Sequence, residues 1–213
     1  MQKNDNFDEK VLELIDQLEI SEAKSAEAGI PPKERTIYTG IKINERWIYF
    51  EERRFVGDRI AMMVPEDYKD LDESSIKIKY PSENRPQKIL SDAAGSSNIL
   101  FSYMDEPMKN DDAQTVRDGI LEIMLRVNPG IKLQSTGLEV ISDKNVAYIE
   151  FSNPTIDSKL YNLMFFMELD GKTLMGSFNC PTKSIKYWKN SAFEMMRSIR
   201  VLESGEKEQD EDG

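Results

Sequence analysis

The stretch from Asn145 to Cys180, read as NVAYIEFSN followed by KLYNLMFFMELDGKTLMGSFNC, constrains the fold more than any other part of this chain. Between Leu160 and Leu169 apolar side chains occupy both alternating sets, Tyr161, Leu163, Phe165 and Met167 against Met164 and Phe166. A strand with one wet face alternates apolar and polar residues, so this one is expected to be covered on both sides. Asp170-Gly171 signals a two-residue hairpin turn, because both central positions need positive φ. Burial stabilises by roughly 1.5–3 kcal/mol per large side chain, which makes this hairpin the expected centre of the core.

The other segments place themselves around it. Phe7, Val11, Leu14, Ile15 and Leu18 form one apolar stripe on a short amphipathic helix over 7–20, ended by Gly29 and Pro31-Pro32. Such a stripe needs cover, which its own domain, a second copy in a homodimer or a partner groove could supply. Strands are expected at 36–43, 46–54 and 59–64, with edge strands at 76–80 and 87–90 and another strand at 99–104. Residues 66–75 read as acidic and irregular, or as a turn of helix. A helix over 111–127, capped by Asp111 or Asp112, is followed by strands near 132–142, 146–152, 159–169 and 173–180. A last helix spans 184–197. Segregated strands with few helices predict an α+β fold, an α/β/α sandwich around a mostly antiparallel central sheet. The expected division is a helix and linker over 1–35, one domain over 36–202 and a disordered acidic tail over 203–213.

Charge and composition narrow the function. The net charge is −11 over 213 residues, and the last eleven residues alone hold six acids and one lysine. Such a chain repels nucleic acid and anionic membrane, so neither is an expected partner. No apolar run reaches the ~18 residues that span a bilayer, and MQKNDNFDEK lacks a secretory apolar region. A single cysteine, Cys180, fits a reducing compartment, so the expected location is the cytoplasm.

The chain has no histidine, which removes the commonest general base, the usual triads and most zinc sites. Cys180 has no activating histidine and reads as a small core hydrophobe. No glycine-rich phosphate loop or serine elbow occurs. The densest ordered carboxylates, Asp105-Glu106 with Asp111-Asp112, read as a solvated loop and a helix cap, and no cofactor or metal is expected. Trp47 and Tyr49 stand among Arg46, Arg53, Arg54 and Arg59, the composition of a protein-binding hot spot, although Glu45, Glu51 and Glu52 suit a salt-bridged solvated face. Lys183, Lys186 and Lys189 read as the outer face of the last helix.

Residues 55–202 resemble the superfamily of the Ran-binding Mog proteins, the photosystem PsbP subunit and their bacterial relatives. FVGDRIAMMVPEDY is similar to the opening strand that ends in a proline, SNILFSYMD to the strand before the long helix and VRDGILEIMLRV to that helix. The run NVAYIEF to GSFNC resembles the closing meander, and YWKNSAFEMMRSIRV the terminal helix. The resemblance implies the sandwich fold and a non-catalytic binding role, with no shared catalytic set to carry over; residues 7–54 look like additions. Two functions follow as expectations. One is a non-enzymatic adaptor contacting another protein through Val11, Leu14 and Leu18 or through Trp47, Tyr49, Arg53 and Arg54, by analogy beside a secretion or toxin–immunity apparatus. The other is a small-ligand binder or carboxylate-dependent enzyme with a cleft beside the sheet.

Overall fold

A computed structural model describes residues 36–43, 46–80, 85–155 and 158–202. The predicted stripe over 7–20, with Val11, Leu14 and Leu18, and the acidic tail lie outside the described residues.

In chain order the elements are β1 (Ile41–Ile43), β2 (Arg46–Ile48), β3 (Phe50–Phe55), β4 (Ile60–Pro65), β5 (Lys69–Asp70), helix α1 (Glu73–Lys79), β6 (Lys88–Ser91) and β7 (Asn98–Pro107). Helix α2 (Ala113–Val127), β8 (Lys132–Ile141), β9 (Lys144–Pro154), β10 (Lys159–Leu169), β11 (Lys172–Pro181), helix α3 (Ile185–Arg197) and β12 (Arg200–Val201) follow among the described residues. Seven strands form an antiparallel sheet in the order β5-β6-β7-β11-β10-β9-β8. Asp170 and Gly171 have φ of 50° and 77°, the two positive values that the turn between β10 and β11 requires. Hence Phe165 stands opposite Gly176, and the two strands at the centre of the sheet are in register over their full length.

Both faces are covered, as the two-sided apolarity demands. Ile149, Phe151 and Phe166 pack under Val116, Ile120, Leu121 and Met124 of α2. On the other face Tyr161, Leu163, Phe165 and Met167 meet Trp188, Ala192, Met195 and Met196 of α3. That second layer is not purely helical. It includes a three-stranded sheet, β12-β4-β3, whose Phe55, Ile60, Met62 and Val64 enter the same core. The expected meander over 36–64 is therefore split, with β1 and β2 forming a separate two-stranded hairpin.

Three local expectations need correction. Residues 76–80 belong mostly to helix α1 and not to an edge strand. Asp72 accepts from the backbone N–H groups of Ser74 and Ser75, both at 3.0 Å, and satisfies two donors of the first turn. Hydrogen bonds from the Ser74 and Ser75 hydroxyls hold the Asp72 carboxyl well below the usual carboxylate range. Local capping thus overrides the strand-like alternation of Ile76 and Ile78. We expect Asp72→Ala to unravel α1 alone, read as lost amide protection across 73–79 with the melting temperature nearly unchanged. Secondly, Asp112 does not cap α2; its carboxylate accepts from Lys109 N–H at 3.0 Å and closes the 3-10 turn at 110–112. Finally, residues 36–39, expected as part of a strand, form a turn closed by Thr39 N–H to Thr36 O, so β1 is only three residues long.

Candidate functional site

Two sites emerge, one nominated by sequence and one not. At the first, Trp47 on β2 and Tyr49 in the link between β2 and β3 stack their rings, centroids 6.1 Å apart and planes 13° from parallel. The Tyr49 ring lies across Gly40, where a Cβ would stand 3.1 Å from two ring carbons and where φ is +90°. Glycine at 40 therefore both makes the turn and admits the aromatic ring. Tyr49 is 53% exposed, and nearby in the chain Tyr38 is 70% exposed.

The arginines nominated with these aromatics divide. Arg46 pairs with Asp67 at 2.7 Å at the edge of the hairpin. Arg53 is consumed internally, donating to the carbonyls of Tyr68 at 2.7 Å and Glu66 at 2.8 Å and to Glu51 at 2.6 Å. It pins the 66–68 turn to β3 and is a positioning residue. Arg54 is exposed five residues along the chain, about 16 Å from Tyr49 at extended spacing, and lines a different groove with Phe55, Val56 and Gln87.

The second site is a cleft of about 550 Å³ between α3 and strands β8 and β9. Glu150, on β9, is only 2% exposed at its floor. Its carboxylate meets the Lys189 ammonium at 2.6 Å and accepts from the Ser135 hydroxyl at 2.6 Å. Burial raises the Glu150 pKa, but the bonds from Lys189 and Ser135 together outweigh it and leave the carboxyl below its ordinary value. Behind it the fully buried Tyr161 hydroxyl lacks a well-formed hydrogen bond, and burial beside that carboxylate pushes its pKa up. Tyr148 and Phe193 form the wall as an edge-to-face pair, and Arg197 grips Glu139 through two hydrogen bonds of 2.7 and 2.8 Å. Lys189, expected on the solvated outer face of the last helix, is instead the counter-ion of a buried carboxylate.

Each cleft group whose titration the fold shifts is moved away from neutrality: Glu150 downward, Tyr161 and Arg197 upward. Cys180 is fully buried and pushed up to about 12 by that burial, which suits a packing role. The carboxylates over 105–112 are engaged separately, Asp105 with Lys172 at 2.6 Å and Asp112 with the Lys109 backbone. Among the described residues no group of three or more His, Cys, Asp or Glu could hold a metal ion, and no helix is long and apolar enough to cross a membrane. The cleft offers paired charges and an aromatic wall.

No protein-family model matches the chain, and no curated protein matches it in sequence. Solved structures do. The cyanobacterial PsbP protein CyanoP of Synechocystis is similar with a TM-score of 0.54 and 13% identity, over 72% of this chain and 92% of that one. The chain has a PsbP-like fold. LpqN of Mycobacterium tuberculosis, described as involved in cell envelope biogenesis, aligns at 0.46 and 12% identity over 79% of this chain and 98% of that one. The type VI secretion immunity protein TplEi of Pseudomonas aeruginosa, solved with a peptide, aligns at 0.38 and 14% identity over 80% and 56% of the two chains.

Proposed function

We propose that this chain is a non-catalytic protein-binding module whose contact surface is the aromatic hairpin of β1 and β2. The observation that carries the reading is the stacked Trp47–Tyr49 pair with exposed Tyr38 beside it in sequence, held outside both sheets of the core. Tryptophan, tyrosine and arginine dominate binding energy at interfaces because a rigid ring buries much area at small entropic cost. The test is affinity capture from the source organism with the full chain, Trp47→Ala and a chain lacking residues 1–30. The reading predicts a partner retained by the full chain and by the truncated chain and lost on Trp47→Ala. Loss on truncation alone would move the interface to the Val11, Leu14 and Leu18 stripe and overturn the hairpin as the contact surface.

A second reading draws on the α3 cleft, whose buried carboxylate and aromatic wall could hold a small polar ligand. A thermal-shift screen separates the two, since a ligand bound only by the folded state raises the melting temperature.

A further inference from the structure

We propose that β8 pairs with β8 of a second copy of this chain, in antiparallel register about Thr136, joining two seven-stranded sheets into one. This goes beyond the hairpin reading and stands independently of it, because it rests on the opposite end of the molecule's main sheet.

The two edges of that sheet are treated differently. The β5 edge is two residues long and carries Lys69 and Asp70, the ordinary way of blunting an edge. The β8 edge is ten residues long, lacks proline and is paired on one side only among the described residues. The strand itself carries exposed apolar side chains. Leu133, Leu138 and Val140, all on β8, are three of the nine large apolar residues exposed on the described chain. A long edge that carries apolar side chains, interrupted only by one bulge, is a template for another strand.

Charge and face select a second copy as that strand. Opposite Ile149 and Ala147, Thr136 and Leu138 lie on the α2 face, while Ser135 opposite Glu150 and Gly137 opposite Tyr148 lie on the α3 face. The register shift between Leu133 and Ser135 leaves Gln134 as an extra residue, so Leu133, opposite Phe151, returns to the α2 face. With that bulge counted, an antiparallel copy centred on Thr136 sets Leu138 against Leu133 of its mate and Val140 against Ile131. The strand's only two charged residues then stand in register: Glu139, which Arg197 of the same copy already holds, faces Lys132, twice by symmetry. Every pair lies on a common face, so the strand is complementary to itself in apolar character, charge and pleat. The net charge of −11 does not oppose this strongly, since charges beyond about 8 Å are screened at physiological salt.

The test uses the full chain, with mass measured by light scattering. The expected result is a species of twice the 24.5 kDa chain mass, with Lys132→Glu weakening the dimer about tenfold or more. Register is tested by mild oxidation of single-cysteine additions, the native Cys180 being buried. Thr136→Cys should cross-link through the axis, whereas two copies of Val140→Cys, about 26 Å apart along the strands, should not. Trp47→Ala should leave the mass unchanged, which separates this proposal from the hairpin reading. A monomer at all accessible concentrations, or a dimer in which Val140→Cys links and Thr136→Cys does not, would overturn it.

Discussion

Gly176→Ala is expected to be the most damaging one-methyl change in the molecule. A Cβ at this position would lie 2.0 Å from Cζ of Phe165 and within 2.7 Å of two further ring carbons. Gly176 is buried on β11, paired on either side with Phe165 and Phe101, and the Phe165 ring is itself buried against Phe101. The ring occupies the volume that a side chain would need, so this cross-strand pair works only as glycine opposite a large aromatic residue. Relief requires Phe165 to leave its well, in a core that has little room to give. Overpacking of this kind costs up to about 3 kcal/mol. For a chain of this size that lowers the melting temperature by roughly 6–12 °C. Thermal melts check the loss, and the pair Gly176→Ala with Phe165→Leu should recover part of it, as expected for two residues in direct contact. A melting temperature within a degree of the parent for Gly176→Ala would contradict the packing of the two central strands.

The second large effect is expected at Glu150. Replacing Lys189 by methionine keeps the apolar stem and removes the counter-ion, leaving a carboxylate buried against Ser135 and Tyr161 without compensation. Breaking a sealed ion pair costs about 3–5 kcal/mol, but Lys189 is half open to water, so about 2 kcal/mol is expected here. The pH dependence has a definite sign. The folded-state pKa of Glu150 lies below its ordinary value, so its contribution is present above the unfolded carboxyl pKa, about 4.3. That contribution is lost as the pH falls through the depressed folded value. In Lys189→Met burial dominates and the carboxyl pKa rises. The melting-temperature difference from the parent should therefore be greatest near pH 7 and narrow towards pH 4. A difference that grows on acidification would show that Glu150 is not the group responsible.

What could be read from the sequence follows physical lines. The hairpin of β10 and β11 was legible because apolarity on both faces and a turn dipeptide are local signals. Helix α1 was misread because Ile76 and Ile78 alternate like a strand, while the informative residue, Asp72, acts by capping. Ile78 in fact faces water. The cleft was not legible because Ser135, Glu150, Tyr161 and Lys189 come from β8, β9, β10 and α3, and only the sheet order assembles them. One signal did point there: Glu150 is a lone acid within the apolar run NVAYIEF, and a carboxylate in a strand covered on both faces must find a cation. The open edge of β8 likewise depends on strand order, which sequence periodicity does not contain. The internal use of Arg53 was not legible, since two of its three partners are backbone carbonyls brought to it by the 66–68 turn.

The central claim is that the β1–β2 hairpin is the surface that meets a partner. Hydrogen exchange on the captured complex against the isolated chain tests it most directly. The account predicts new protection at residues 38–43 and 46–49, with the amides of β8 and those around the α3 cleft unchanged by the partner. Protection confined to 132–141 or 189–197, with the hairpin exchanging as in the isolated chain, would contradict it.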